Sequence, residues 1–416
     1  MHLVGLRGWF TIQSFLFVFF DAFLPGTVVN SYNNQGPLWQ MDLRKSLGVL
    51  FWNGPLIYSA FILLSARSIA IPFLRDPSKA NLTGAIFRRG LRLFFPALVG
   101  LGLAKLILAQ TDGYAWIQYF LDLTGNESAS VPYDIPNALV YFNAVFNLFW
   151  ITRTFATSAA SLAFPSHLLW ILTVLYTQSF TVYMTMIVAP YTRPAWRLKA
   201  ALFFVLSAWW MQSWAWYSIS GLLLADMVVN MDFQQKAARG IPLPFKKGLF
   251  LPSWTVYLLL MLGGVLMQFL WTGWNPQLYD SEIVAHAGLY YSGGLNTDYD
   301  SSQPQARDDI YLILLGFLLA VDTYPWLQRL FANPVFVYLG SRSLSWLFAQ
   351  GIVVYTAGMR LFIHLNVDRQ WPSQVSVFVS FLVSLLTVIA FAELFYRLVD
   401  HPSRAFSHIV FDWIRE

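Results

Sequence analysis

The chain has 416 residues, of which 57% are apolar, 18% aromatic and only 11% charged. Soluble domains carry about 25% charged residues, so this balance excludes an ordinary water-soluble globule and points to a membrane protein. The net charge of +5 does not indicate nucleic-acid binding, because the basic residues cluster between apolar runs instead of lining one face. Cysteine is absent, which excludes disulfides, thiolate nucleophiles and cysteine-ligated metals; no metal site and no bound cofactor are expected.

In chain order, the first apolar run follows Arg7 and lacks a small-x-small cleavage site, so it reads as a signal anchor. Runs near 20 residues with few ionised groups each suffice to cross about 30 Å of hydrocarbon. They predict spans over 9–29, 48–66, 93–110, 168–189, 200–212, 214–229, 254–272, 310–324, 335–356 and 374–397. The stretch 200–229 divides in two at Gln212 and Ser213, whereas 138–151 is apolar but short and reads as interfacial or re-entrant. These segments lack the alternation of a transmembrane barrel. The expected fold is an all-α integral membrane protein of about ten transmembrane helices, with residues 1–416 forming a single polytopic domain.

With both termini in the cytosol, 18 Lys and Arg residues fall on the cytosolic side and 6 on the other. This is the bias of the positive-inside rule. Loop 111–137, with Asp112, Asp122, Glu127 and Asp134, has no basic residue, and 273–309 is acidic around Asp298, Asp300, Asp308 and Asp309. The sequon Asn126-Glu127-Ser128 lies in the first of these loops, so Asn126 is the expected glycosylation site. An endomembrane, the endoplasmic reticulum above all, is the expected location.

Several segments, in order, resemble the acyltransferase 3 family of membrane-bound acyltransferases, and its fungal branch most. They are Gly5-Leu6-Arg7-Gly8, Leu64-Ser65-Ala66-Arg67, Phe87-Arg88-Arg89-Gly90-Leu91-Arg92-Leu93-Phe94-Phe95-Pro96, Leu169-Trp170-Ile171-Leu172, Tyr338-Leu339-Gly340, Gly358-Met359-Arg360-Leu361 and Arg397-Leu398-Val399-Asp400-His401-Pro402. The resemblance implies a ten-span acyltransferase-3-like bundle. It also implies transfer of an acyl group from acyl-CoA, as co-substrate, to a hydroxyl of a lipophilic small molecule in fungal specialised metabolism. Membrane lipids are the other expected partners; no oligomeric state follows.

Where the family implies a first-span histidine this chain has Val18, where it implies a glutamate it has Leu175, and where it implies a later histidine it has Gln350. Acyl transfer to a hydroxyl needs a group of near-neutral pKa to take the proton, and none of these three can. No predicted span contains a histidine, His167 lying at a boundary, and no G-x-S-x-G elbow is present. Asp21, in the first span three residues after Val18, is therefore the leading acid–base candidate, because intramembrane acids face cavities or partners. Gln350 joins it through its position. Arg7, Arg88, Arg89 and Arg92 are candidates for gripping the phosphates of acyl-CoA, or equally a positive-inside stop against anionic lipid. Tyr176 and Gln178 complete the binding candidates. Gln13, Gln178 and Gln350 could also act only as helix-to-helix hydrogen bonders, Asp226 as an interface residue, and Asp322 and Glu393 as snorkelling ends. The aromatic richness leaves two alternatives open: a membrane cyclase or isomerase working on a cationic intermediate, with Asp21 as its acid, and a non-catalytic carrier.

Overall fold

A computed structural model describes residues 1–28, 36–151, 154–242, 250–270 and 303–415. Arg153, Lys246, Lys247, His286 and the acidic stretch around Asp298 and Asp300 lie outside the described residues. The main helices are α1 (His2–Phe23), α2 (Gly54–Arg75), α3 (Lys79–Gln110), α4 (Gly113–Thr124), α5 (Ala138–Trp150), α6 (Trp170–Val188), α7 (Pro194–Trp210), α8 (Ala215–Asn230), α9 (Ser253–Phe269), α10 (Asp308–Thr323), α11 (Pro325–Phe331), α12 (Pro334–Ser341), α13 (Ser343–Asp368) and α14 (Ser373–Arg415). Only a two-residue antiparallel pairing, Ile241–Pro242 with Phe250–Leu251, interrupts this helical pattern among the described residues.

Among the described residues six helical segments are long and apolar enough to cross a membrane, and a seventh forms if α10 and α11, bent by 105° at Tyr324, count as one broken span. The chain is thus an all-α protein with the helices of a membrane protein. Helices α7, α8, α9 and α10 have 17, 16, 17 and 16 residues, each below the length of the other six. Helix α5, with 13 residues, reaches about 20 Å at 1.5 Å per residue, too short to cross. A little over a quarter of the most apolar window of α14 is buried, and Phe378, Leu382 and Leu386 project outward, a surface suited to hydrocarbon.

The chain divides into two compact units. The first comprises Met1–Phe10, Pro55–Ile86 and Gln178–Tyr338. Its core joins Ala66, Ala70, Phe73 and Leu74 of α2 to Val182, Tyr183 and Met186 of α6 and Leu222 and Ala225 of α8. Gly221 makes that approach possible, since a Cβ there would sit 2.6 Å from the Leu63 carbonyl oxygen. Arg67, expected in a loop, lies inside α2, almost wholly buried, with Nη2 donating to Asp322 Oδ1 at 2.6 Å. Asp322 therefore does not snorkel: it is the internal counter-ion that a buried guanidinium requires. Asp309, expected in a polar loop, is buried at the start of α10, held by Arg307 at 2.9 Å and by Gln268. Asp226 accepts from Arg197 at 2.9 Å and Asn230 at 2.6 Å, a structural use at a helix end. Trp214, Trp216 and Tyr217 are buried, and the Trp216 and Tyr311 rings lie 4.4 Å apart.

The second unit comprises Thr11–Gly54, Phe87–Thr177 and Leu339–Glu416. Helix α3 starts well before its predicted span, so Arg88, Arg89 and Arg92 sit on a 32-residue helix instead of in a loop. Ser376, Ser380 and Ser384 repeat every four residues along one buried face of α14. Gly358 of α13 meets Ser384 there, where a Cβ would come within 2.7 Å of Oγ; small residues of this kind let membrane helices approach closely. Glu393 does not snorkel alone either, since it pairs with Arg342 and, at 2.7 Å, with Arg397. Four π-helical turns, Arg44–Gly48, Val354–Gly358, His364–Asp368 and Tyr396–Asp400, belong to this unit. Such turns re-aim the side chains around them and occur often at functional sites.

Replacing Arg67 by Met strands a buried carboxylate, and the expected loss is about 3–5 kcal/mol. The double change Arg67→Met with Asp322→Leu should recover most of it. Thermal unfolding in detergent checks both variants, and equal destabilisation of the two would contradict a buried pair.

Candidate functional site

Ser14, Val18 and Asp21 fall at i, i+4 and i+7 on α1 and so share one face. Gln350 of α13 lies against it: its Nε2 donates to Ser14 Oγ at 2.8 Å, with both residues buried. Gln350 Oε1 is buried with no hydrogen-bond partner. One turn along, Val18 is 2% exposed, so no side chain able to take a proton occupies this point. Asp21 is half-buried at the end of the same face, and Tyr355, in the first π-helical turn of α13, lies within electrostatic reach of it. Aromatic rings close the surroundings. Phe19 stacks on Phe23 at 4.3 Å, and Phe23 meets Phe120 at 5.1 Å and Phe362 at 5.9 Å. Val18 and Asp21 thus share the α1 face on which Gln350 of α13 meets Ser14.

A helix leaves its last carbonyls without intrahelical partners, and α1 meets this with Asn126. The Asn126 Nδ2 donates to the carbonyls of Asp21 and Ala22, both at 2.9 Å, while Oδ1 accepts from the backbone N–H of Ser128 at 2.8 Å and of Ala129 at 3.3 Å. The expected glycan site is thus a buried side chain with its amide turned inward. Further along, Tyr133 N–H donates to the Leu162 carbonyl at 2.9 Å, Lys105 pairs with Asp134, and Asn137 Oδ1 caps α5 through Val140 N–H at 3.0 Å. Residues 126–137 are consequently fixed at both ends and in the middle.

This segment presents Ser130 to His167. The His167 backbone sits at φ 52°, a left-handed conformation that costs a non-glycine residue roughly 1–2 kcal/mol. Ser161 holds it there from both directions: Ser161 Oγ–H donates to the His167 carbonyl at 3.0 Å, and His167 Nδ1 lies 3.3 Å from the Ser161 carbonyl. A carbonyl only accepts, so Nδ1 carries the ring proton and Nε2 keeps its lone pair. Nε2 then accepts from Ser130 Oγ–H at 2.9 Å, and with Nε2 unprotonated its 3.5 Å approach to the Ser130 carbonyl is not a hydrogen bond. Burial lowers the His167 pKa from its ordinary 6.5, against the carbonyls of Ser130 and Ser161, which pull upward. The imidazole is therefore neutral at neutral pH and able to accept a proton. Ser130 is exposed where His167 is half-buried, so the hydroxyl is the accessible member of the pair. The neighbouring Ser166 Oγ is buried without a partner, and Gly351, next to Gln350, packs so closely that a Cβ would lie 2.6 Å from it.

The basic candidates separate. Arg88 Nη1 lies 2.6 Å from His408 Nδ1 and the guanidinium covers the Phe411 ring at 5.7 Å, whereas Arg89 Nη2 donates to the Leu175 carbonyl at 3.1 Å. Tyr176, beside Leu175, lies over Gly90 and meets Phe149 edge-on at 5.2 Å, so Arg89 and Tyr176 are neighbours. Arg92 shares a face of α3 with Phe95 and Val99. These two residues line an apolar groove of about 270 Å³ with Leu398, Val399, Pro402, Ser403 and Phe406 of α14. Arg7 and Gln178 belong to the first unit, where Gln178 Oε1 is buried without a hydrogen-bond partner. Among the described residues no group of three or more His, Asp or Glu could hold a metal ion.

No family model matches the chain and no solved structure matches it. A stretch of 95 residues, 22% of the chain, is 37% identical to proteins of Staphylococcus aureus strains COL, MSSA476 and MRSA252 that are provisionally named O-acetyltransferases. The match spans 14% of the length of those relatives.

An N-linked glycan on Asn126 and the observed bonding of its Nδ2 exclude one another. Endoglycosidase treatment of the folded protein should leave its mass unchanged. Asn126→Ala should destabilise it by about 1–3 kcal/mol through the orphaned helix carbonyls. A glycan recovered on Asn126 of the folded protein would contradict this geometry.

Proposed function

We propose that the chain is a membrane-bound acyltransferase that moves an acyl group from acyl-CoA to a hydroxyl of a lipophilic small molecule. The observation that carries this reading is His167: a neutral imidazole with its tautomer set by Ser161 and its Nε2 facing a hydroxyl. It supplies the base that Val18, Leu175 and Gln350 cannot, and the likeness to provisionally named O-acetyltransferases points the same way. Arg88, Arg89, Arg92 and Tyr176 suit the phosphates and adenine of the donor, and the groove below Arg92 suits a lipophilic tail. Gln350, bonded to Ser14, and Tyr355, within electrostatic reach of Asp21, give α13 a polar wall toward α1.

The topology that goes with this reading has ten spans, both ends cytosolic, in the endoplasmic reticulum or a related endomembrane, in a fungal specialised pathway. Helices of 16–17 residues reach about 24–26 Å, close to the roughly 27 Å hydrocarbon of that membrane. A second reading, a cyclase or isomerase, is favoured by one feature: a half-buried carboxylate, Asp21, beside the Phe19, Phe23, Phe120 and Phe362 rings.

Microsomes containing the protein, given labelled acyl-CoA and a lipophilic extract, should yield a labelled ester. His167→Asn, which tolerates the left-handed backbone, should lower its formation by about 10²–10⁴-fold. Asp21→Asn should lower it by less than about tenfold. An unlabelled, isomerised product that vanishes in Asp21→Asn would overturn acyl transfer and establish the second reading.

A further inference from the structure

The Ser130–His167 contact has a feature that a proton-transfer pair alone does not need. The base is bonded to an exposed hydroxyl of the chain itself. That hydroxyl is anchored by bonds in both directions along its own segment. Four residues before it, Asn126 ties the segment to the end of α1; three residues after it, Tyr133 ties it to the turn that carries Ser161. Ser161 in turn fixes the imidazole at both its carbonyl and its Nδ1. Nucleophile, base and a third group that orients the base are the three parts of an activated serine. Here a backbone carbonyl takes the orienting place that a carboxylate often fills.

We propose that Ser130 carries the acyl group covalently between donor and acceptor, with His167 as the base for both half-reactions. This rests on the acyl-transfer reading. In the first half-reaction Ser130 Oγ attacks the thioester carbonyl carbon while His167 Nε2 takes the hydroxyl proton. The carbon–sulfur bond breaks, and the departing thiolate receives that proton from Nε2. Ser130 is left as an ester. In the second, Nε2 takes the proton of the acceptor hydroxyl, whose oxygen attacks the ester carbonyl carbon. The bond to Ser130 Oγ breaks and Oγ regains the proton from Nε2. One thioester and one alcohol become one ester and one thiol, with no other reactant. The loop is suited to this exchange because Ser130 is open to both substrates, whereas the half-buried ring behind it is held by Ser161.

The test needs no knowledge of the acceptor. Purified protein in nanodiscs is mixed with acetyl-CoA alone, and free thiol is followed with a thiol reagent. Because the chain has no cysteine, the signal comes from CoA only. The expected result is a rapid burst approaching one thiol per chain, with one acetyl group found on the peptide containing Ser130. Ser130→Ala, which removes only an exposed hydroxyl, should abolish burst and adduct. His167→Asn should slow the burst by about 10²–10⁴-fold, with thermal unfolding showing that both variants remain folded. A burst of unchanged size in Ser130→Ala would overturn the proposal. So would wild-type ester formation from labelled acyl-CoA and extract that shows neither burst nor adduct and is matched by Ser130→Ala; direct transfer would then stand. Absence of thiol release with acetyl-CoA or any labelled ester would overturn the acyl-transfer reading itself and this proposal with it.

Discussion

The amide of Asn126 joins the end of a membrane-crossing helix to the start of the segment that carries Ser130. Its two N–H groups satisfy the carbonyls of Asp21 and Ala22, and its oxygen takes two backbone N–H groups of its own loop. In a low-dielectric interior each unpaired backbone group costs several kcal/mol, so the four bonds act together. Everything downstream depends on them. The loop direction they set brings Tyr133 to Leu162 and Ser130 to His167, and the same bonds hold the helix end that carries Asp21.

A related constraint governs the charges. The first unit buries Arg67 with Asp322 and Arg307 with Asp309, and Arg197 reaches the buried Asp226. Buried charges persist in proteins when a partner and hydrogen bonds replace water. These pairs therefore mark where helices must be mutually fixed. In the second unit the polar groups are mostly neutral, serines and Gln350, and the packing is set by small residues and by rings. The π-helical turn at Val354–Gly358 follows directly after the Gln350 turn and carries Tyr355, so the wall facing Asp21 is built on a locally widened helix.

Much of this was legible in the residues. Among the described residues the apolar runs fall on helices, six of them long and apolar enough to cross a membrane, because length and hydropathy report on burial from water. Helix ends were not legible. Arg67 reads as a loop residue because a charge ordinarily ends a span, yet a partner 255 positions away keeps it inside. Asp322 is hidden for the same reason, whereas Asp309 pairs with Arg307 only two positions away and what the sequence conceals there is burial against Gln268. Asn126 matches a glycosylation sequon, and only its three-dimensional neighbours reveal a structural peg. His167 reads as a boundary residue, since nothing in Phe164-Pro165-Ser166-His167 indicates which hydroxyl its ring will meet.

The protonation state of His167 bears most directly on the chemistry. Histidine ¹⁵N-labelled protein in nanodiscs contains six histidines, and the His167→Asn variant identifies the resonances of interest. The expected spectrum shows a protonated Nδ1 and a bare Nε2, persisting as the pH falls below the ordinary 6.5, because burial lowers the pKa of this ring. A proton on Nε2 at neutral pH, or titration at or above 6.5, would contradict a base poised on the Ser130 hydroxyl.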